Sequence, residues 1–284
     1  MPTVVSALLL ALALAAPAAA GEPLKELRVS AIPDEHPAAL ARIYQPFAEY
    51  LAKEIGIPVR YTPVVDYAAT VEALAAKKLD LVWYGGFTFV QARKRTGDAV
   101  PLVSREEDLQ FHSKFITRAD SGIKALADLK GKTFSFGSVS STSGHLMPRY
   151  FLLQNGINPE KDFAKFSFSG AHDATALWVE SGKVDAGALN EAVWDKLVQT
   201  KKVDAAKVKV FWTTPPFVDY VWAARGDLDK GLQERIASAL LTLDGRRAED
   251  KRLLDLHRTK KYVRVRLDDF KPVEEAAVAA GLLK

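Results

Sequence analysis

The stretch T-F-S-F-G-S-V-S-S-T-S-G-H-L-M-P-R-Y-F-L-L-Q, residues 133–154, decides how this chain is organised. It opens on an apolar run that predicts a strand over 133–136 and ends in helically spaced apolar residues over 145–154. Between them, residues 138–144 contain four serines and one threonine. Three structures are compatible with such a run: a flexible linker, an ordinary helix cap, or a cluster of hydrogen-bond donors aimed at an anion.

The position of the run between a strand and a helix favours the anion site. The first N–H groups of a helix have no partner inside the helix, and the helix dipole attracts negative charge to that end. Ser141, Thr142 and Ser143 would add hydroxyl donors, while Gly144 allows a ligand to approach the backbone closely. A cap alone needs only one serine. We therefore predict that this turn binds an anion.

Strands and helices alternate on both sides of this turn, which predicts α/β layers with a largely parallel sheet. On the N-terminal side, strands are predicted over 27–32, 59–64 and 79–83 and helices over 44–55 and 67–77. On the C-terminal side, we predict strands over 163–168, 184–189, 208–212 and 218–223, a helix over 173–181, and mainly helical structure from 228 onward.

One pattern occurs twice. Asp66 leads through a predicted helix to K-L-D-L-V-W-Y at 78–84, and His172 leads through another to K-V-D-A-G-A-L-N at 183–190. The repetition indicates two similar lobes that present helix starts and strand ends to a shared cleft, where ligands of α/β sheets collect. The alternative is that any two helix–strand units look alike.

Composition limits the class of protein. The chain has 284 residues, a net charge of +4 and no cysteine, so neither disulfides nor a lipid-anchored cysteine is expected. Residues 1–20 are small and apolar and end in an A-x-A site, which predicts a cleaved signal peptide and a periplasmic protein; a membrane anchor is the alternative. The mild positive charge suits a small anionic ligand better than nucleic acid.

Motifs of known enzymes do not occur. The sequence has no G-x-S-x-G, P-loop or H-E-x-x-H pattern, and its five histidines are scattered, so no metal, cofactor or catalysis is expected. A periplasmic hydrolase that pairs a serine with His145 or His172 remains the alternative from another class. A sensor lobe that signals to a receptor kinase is a third possibility.

Five segments together resemble the periplasmic phosphate/phosphite/phosphonate-binding proteins of ABC importers. They are S-S-T-S-G-H-L-M-P-R-Y-F-L, D-Y-A-A-T-V-E-A-L at 66–74, D-L-V-W-Y-G-G at 80–86, L-A-D-L-K-G-K-T-F at 126–134 and S-G-A-H-D-A at 169–174. Within that family, the stretches around W-Y-G-G-F-T-F and F-G-S-V-S-S-T-S-G look most like the branch named for selenate binding.

The resemblance implies a two-lobed, type II-like α/β fold, with two mixed or parallel sheets flanked by helices and joined by two crossover strands. It implies a first lobe from 25–114 plus 224–284 and a second lobe from 115–223. The protein would be a monomer without cofactors that closes on a small oxyanion and delivers it to ABC permease and ATPase subunits. The basic tail side chains would be a solvated face or a docking surface for those subunits: Arg246, Arg247, Lys251 and Arg252.

Carried over position by position, the resemblance implies a set of ligand-binding residues: Tyr67, Tyr84, Ser141, Thr142, Ser143, His172, Asp173 and Asn190. Core packing is the alternative role for Tyr84, and helix capping is the alternative for His172. The segment 217–220, which lies near a predicted crossover, is expected to line the cleft.

Asn190 stands where many members of the family that the sequence resembles carry aspartate, and this difference bears on the ligand. An ionised carboxylate only accepts hydrogen bonds, so it favours a ligand that still carries a proton, whereas an amide can donate. Because selenate and sulfate carry no proton at neutral pH, Asn190 favours them over phosphite or phosphonate, which remain the alternative ligands. Asp173 nearby opposes this argument if its side chain faces the ligand.

Overall fold

The computed structural model describes residues 24–284, which form two lobes, each built around one sheet. The signal peptide predicted over 1–20 lies outside the described residues. Across residues 24–284, no helix has both the length and the apolar character needed to cross a membrane.

Eleven strands occur in the described chain: β1 Leu27–Ala31, β2 Val59–Tyr61, β3 Leu81–Tyr84, β4 Val100–Arg105, β5 Ser113–Arg118, β6 Thr133–Phe136, β7 Lys165–Phe168, β8 Ala186–Asn190, β9 Val208–Thr213, β10 Val221–Ala224 and β11 Tyr262–Arg264. The first lobe is built on the sheet β11-β4-β10-β3-β1-β2 and the second on β7-β6-β8-β5-β9. Both sheets are mixed: β1 is parallel to β2 and β3, β6 is parallel to β7 and β8, and antiparallel neighbours complete each sheet.

Ten α-helices flank the sheets in residues 24–284: α1 Pro37–Ile55, α2 Tyr67–Ala75, α3 Gly86–Thr96, α4 Met147–Gln154, α5 Pro159–Asp162, α6 His172–Glu180, α7 Glu191–Gln199, α8 Lys230–Leu241, α9 Ala248–Leu256 and α10 Lys271–Ala279. Short 3₁₀ turns occupy Glu106–Gln110, Leu126–Leu129 and Leu267–Phe270, and a π-helical turn occupies Thr142–Leu146.

Helix α1 shows how local sequence produces these elements. Its apolar residues recur every three or four positions and are buried against the first sheet: Leu40, Ile43, Phe47, Leu51 and Ile55. The helix starts with a proline after His36, whose Nδ1 accepts a hydrogen bond from the Ala38 N–H. It ends at Gly56, which has a φ of 75° that favours glycine.

The strand and helix predicted around the serine-rich turn differ from the structure in one respect. The strand over 133–136 is confirmed, but α4 begins only at Met147. The π-helical turn precedes it, because the Leu146 N–H donates to the Ser141 carbonyl five residues back, at 3.0 Å. This wider turn presents the serine-rich segment as a helix start of its own.

The chain crosses between the lobes twice, after β4 and before β10. The two crossover segments pair through Phe111 and Phe217, whose N–H groups each donate to the other residue's carbonyl at 2.9 Å. The strand predicted over 218–223 joins the sheet only at Val221, because the Asp219 N–H instead donates to the Asp108 carbonyl on the opposite crossover. The predicted two-lobed α/β architecture with two crossovers is confirmed.

Candidate functional site

The serine-rich turn is an ordered, buried helix start. The side chain of Ser141 caps it by accepting a hydrogen bond from the Gly144 N–H at 3.0 Å. Thr142 and Ser143 are each 1% exposed, and their N–H groups, at the first turn, have no acceptor within the helix. A buried turn with this geometry is not a flexible linker, and it provides more donors than a cap requires.

The turn packs across the cleft against the start of α3 in the first lobe. The Phe87 N–H donates to the Thr142 hydroxyl at 2.9 Å, and the Thr88 hydroxyl donates to the Ser140 carbonyl at 2.8 Å. Gly85 permits this approach, since a Cβ at that position would lie 2.9 Å from the Thr142 Oγ1 atom. The two lobes are therefore closed on each other at the turn.

Asp219 brings a carboxyl group to the same place. Its Oδ1 atom accepts from the Gly86 N–H at 3.1 Å, while its buried Oδ2 atom has no hydrogen-bond partner among residues 24–284. Burial raises the pKa of Asp219 to about 7, although the nearby Thr142 and Ser143 hydroxyls and the Gly86 N–H oppose the shift. A hydrogen-bond acceptor that exchanges its proton near neutral pH thus lies beside the donor turn.

Tyr67 is the first residue of α2 and is 1% exposed. Its hydroxyl lies near the Ser141 side chain but makes no hydrogen bond of normal geometry with any residue in 24–284. Burial raises the pKa of this phenol well above its ordinary value, so the hydroxyl keeps its proton and remains a donor. A buried donor without a protein partner is costly unless a ligand uses it.

His172 supplies a matching donor from the second lobe. Its Nδ1 atom accepts from the Asn190 N–H at 3.3 Å, which leaves the imidazole proton on Nε2, a buried atom with no partner in the described part of the chain. Burial lowers the pKa of His172 to about 4, so the ring is neutral. The ring lies against the turn, where a Cβ on Gly144 would be 3.0 Å from the His172 Cε1 atom.

Asn190 connects the two lobes through its amide group, and its assignment as a ligand contact stays a prediction. Its Nδ2 atom donates to the Tyr220 hydroxyl at 2.7 Å, and that hydroxyl donates to Asp34 at 2.8 Å. Its Oδ1 atom caps α7 by accepting from the Val193 N–H at 2.9 Å. Burial and the charge of neighbouring Glu35 raise the pKa of Asp34 to about 6.

The two remaining residues of the predicted set have protein partners. The Tyr84 hydroxyl donates to the Thr70 carbonyl at 2.9 Å within its own lobe. The Asp173 carboxylate accepts from the His36 N–H of the other lobe at 3.0 Å and from the Ala174 N–H at 2.8 Å. The assignment of Tyr84 and Asp173 as ligand contacts stays a prediction.

The structure thus brings Tyr67, His172 and the 141–143 turn together and adds Asp219 to them. Asp34 was not anticipated, although it closely follows β1, where the general rule about strand ends would have indicated it. Asp219 and Tyr220 belong to the segment predicted to line the cleft, but neither was identified individually. Residues 24–284 contain no group of three or more His, Cys, Asp or Glu side chains suited to holding a metal ion.

Comparisons with known proteins agree with this geometry. Residues 29–270 match the family described as ABC transporter, phosphonate, periplasmic substrate-binding protein. The chain is 39% identical over 263 residues to the probable ABC transporter phosphite binding protein PhnD1 of Prochlorococcus marinus, covering 88% of each chain. It is 29% identical to the phosphonates-binding periplasmic protein of Escherichia coli, covering 85% of this chain and 73% of that protein.

The solved structure of PhnD1 from Prochlorococcus marinus in complex with methylphosphonate superposes with a TM-score of 0.87 at 38% identity, covering 91% of this chain and 99% of the other. The predicted resemblance and fold class are confirmed, although the names of these relatives refer to phosphite and phosphonates and not to selenate. The chain therefore belongs to the phosphonate family of ABC transporter periplasmic substrate-binding proteins, which present a small-molecule ligand to a membrane permease and its ATPase.

Proposed function

We propose that this protein is the receptor for a small tetrahedral oxyanion that carries one proton, of the phosphite or alkylphosphonate class. The observation that carries the proposal is the buried Asp219 carboxyl group beside the serine-rich turn. Its Oδ2 atom has no partner in residues 24–284, and its pKa is raised by burial to about 7. A set of hydrogen-bond donors alone would suit any oxyanion. Because an ionised carboxylate among them can only accept, the ligand must supply the proton of that hydrogen bond.

The donors suit the charged oxygens of such a ligand. Tyr67 and His172 each offer one buried N–H or O–H group that has no partner in the described chain, one from each lobe. The N–H groups of Thr142 and Ser143 and the Ser141 and Ser143 hydroxyls would complete the set. Hydrogen bonds to charged acceptors contribute about 1.5–3 kcal/mol each. Because the donors are neutral, they hold the anion without countercharges.

Selenate and sulfate are the weaker candidate ligands. The Asn190 amide donates one Nδ2 proton to Tyr220 and caps α7 through Oδ1, so only its second N–H could reach a ligand. Asp219 supplies the carboxyl group that position 190 lacks. Phosphite and alkylphosphonates retain a proton near neutral pH that Asp219 can accept, and sulfate and selenate do not.

The relatives support the same ligand class. PhnD1 of Prochlorococcus marinus is named for phosphite and was solved with methylphosphonate. A relative from Mycolicibacterium smegmatis, 31% identical over 71% of this chain and 67% of its own length, is named as a phosphate-import protein. Hydrogen phosphate also carries a proton, so it belongs among the ligands to be compared.

Hydrolysis is the weaker alternative. The His145 imidazole bonds to the Val139 carbonyl through Nδ1 at 2.7 Å, and the His172 Nδ1 atom is used by Asn190. Within residues 24–284, neither ring forms a hydrogen bond with a serine hydroxyl, which a serine nucleophile would require. The named relatives are also binding proteins. We therefore propose binding without turnover.

Titration calorimetry at pH 7 tests the proposal with phosphite, methylphosphonate, phosphate, sulfate and selenate. We expect phosphite or methylphosphonate to bind at least about a hundredfold more tightly than sulfate or selenate, a difference of about 2.7 kcal/mol. Tight selenate binding with no phosphite or phosphonate signal would refute the proposal. Release of product from a phosphonate or phosphate ester would show an enzyme instead.

The variant Asp219→Asn tests the role of the carboxyl group directly. In the wild type, selenate needs the protonated form of Asp219, so any weak selenate affinity should fall about tenfold per pH unit above pH 7. The variant should abolish this pH dependence. We expect the variant to bind phosphite more weakly and to lose its preference for it over selenate. An unchanged preference would remove Asp219 from the ligand site.

The same variant should change how stability depends on pH. The pKa of Asp219 is raised to about 7 in the folded protein, so the folded state holds a proton that the unfolded state releases near pH 4. Its stabilising contribution is complete below pH 4 and is lost as the pH rises through 7. The free energy of unfolding of the ligand-free wild type should therefore fall from pH 4 to pH 7 by more than that of Asp219→Asn. Urea titration at both pH values measures the two changes.

A further inference from the structure

The loop between β1 and α1 bonds to the second lobe through three consecutive residues. The Asp34 carbonyl accepts from the His172 N–H at 2.9 Å. Glu35 accepts from the Lys196 Nζ atom at 2.6 Å, and the His36 N–H donates to Asp173 at 3.0 Å. We call this loop the 34–36 segment.

Glu35 is placed between one cation from each lobe. It is only 4% exposed, and its second oxygen accepts from Arg258, which follows α9 in the first lobe, at 3.0 Å. Burial opposes the ionisation of Glu35, but Arg258 and Lys196 outweigh it and lower its pKa, so the side chain is charged at neutral pH. Lys196 lies on α7, which packs on the sheet of the second lobe.

This arrangement distinguishes the closed protein from the open one. When the lobes separate, Glu35 keeps Arg258, because both residues belong to the first lobe, but it loses Lys196. A half-buried ion pair is then exchanged for a lysine in water and a carboxylate with one partner. The contact contributes to closure and therefore to the affinity for any ligand that needs closure.

We propose that Glu35 and Lys196 are positioning residues that hold the closed state independently of which ligand is bound. The proposal rests on the proposed ligand-binding function and adds a second determinant to it. Asp219 and the donor turn select the ligand, whereas the Glu35–Lys196 pair sets how tightly every accepted ligand is held. Both side chains are engaged away from the donor turn: Glu35 accepts hydrogen bonds from Lys196 and Arg258.

The variant Lys196→Met removes the charge while keeping much of the side-chain length. We expect the dissociation constants for phosphite and methylphosphonate to rise by the same factor, about tenfold, since the lysine is partly exposed. Lys251→Met is the matched control: it removes a lysine from an ion pair with Asp255 on the exposed face of α9 and should leave both constants unchanged. Equal binding by Lys196→Met and wild type would overturn the proposal.

Two further measurements separate this proposal from the proposed function. Glu35→Gln combined with Lys196→Met should weaken binding by less than the product of the single effects, because the two residues act as one pair. A loss confined to one ligand would place Lys196 at the ligand and contradict the proposal.

If the wild type binds no oxyanion at all, the proposed function fails, and closure is measured directly. The chain has no cysteine, so spin labels can be placed at Val65→Cys in the first lobe and Leu177→Cys in the second, both exposed. Lys196→Met should shift the population of inter-label distances toward longer values. An unchanged distance distribution would exclude a role of the pair in closure.

Discussion

The two lobes contain helix–strand units built on one plan, α2 with β3 and α6 with β8. Each helix has nine residues and begins with a buried ring that carries a donor without a partner in residues 24–284, Tyr67 in one unit and His172 in the other. The units differ where their strands end. Tyr84 bonds back to Thr70 within its own unit, whereas the Asn190 amide reaches Tyr220 at the crossover.

Because of this difference, the strand-end residue of the first unit contributes to the stability of one lobe, whereas that of the second unit contributes to contact between the lobes. The first unit satisfies its strand-end residue internally, so that residue stabilises one lobe. The second unit forms a chain of hydrogen bonds that runs from His172 through Asn190 and Tyr220 to Asp34 and returns to the His172 N–H. Changes at the strand end of the second unit should therefore alter closure and ligand affinity together, whereas a change at Tyr84 should alter only stability.

The largest expected effect is that of His172→Phe. It removes the donor that we propose for the ligand and also the acceptor for the Asn190 N–H, which becomes a buried group without a partner. The lost donor corresponds to about 1.5–3 kcal/mol, so we expect phosphite affinity to fall about ten- to a hundredfold, while the unpaired Asn190 N–H lowers the free energy of unfolding by about 1–3 kcal/mol. Calorimetry measures the loss, and circular dichroism confirms that the variant is folded. Wild-type affinity would show that the donor does not reach the ligand.

Tyr67→Phe should have a smaller effect, because the phenol hydroxyl has no protein partner within residues 24–284 and its loss should be felt only by a bound ligand. We expect phosphite to bind about tenfold more weakly, as for one lost hydrogen bond to a charged acceptor. The ligand-free variant should unfold at the same urea concentration as wild type or a higher one. A lower midpoint with unchanged affinity would mean that the hydroxyl has a structural role.

The smallest expected effect on binding is that of Tyr84→Phe. Its hydroxyl donates to the Thr70 carbonyl inside the first lobe, so its removal should lower the free energy of unfolding by about 1 kcal/mol. Phosphite and methylphosphonate affinities should stay within a factor of about two of wild type. A large, selective loss of binding would restore Tyr84 to the ligand site and remove the contrast between the units.

Sequence patterns predict those parts of the site that depend on local structure. The serine-rich turn is recognisable because a strand, a donor-rich loop and a helix follow one another within about twenty residues. Tyr67 and His172 are implied by the family resemblance: Tyr67 begins the helix predicted over 67–77, and His172 directly precedes the helix predicted over 173–181. The residue type of Asn190 shows that its side chain can donate a hydrogen bond. It does not show which group accepts, because the acceptor depends on how distant segments pack.

Sequence patterns do not predict the residues whose role depends on closure of the lobes. Asp219 lies in a crossover segment with no regular structure of its own, where its N–H donates to the Asp108 carbonyl and its side chain accepts from the Gly86 N–H. Glu35 and Lys196 are ordinary charged residues that are far apart in the sequence and pair only when the lobes meet.

The amino-acid sequence by itself therefore determined the alternation of strands and helices, the family and the donor-rich helix start, because each follows from hydrogen bonding and apolar spacing between near neighbours. Only the tertiary structure decided where the Asp219 carboxyl group lies and that Glu35 and Lys196 form an ion pair between the lobes. Burial and long-range pairing arise from packing between distant segments, and they set both the raised pKa of Asp219 and the position of Glu35 between its two cations.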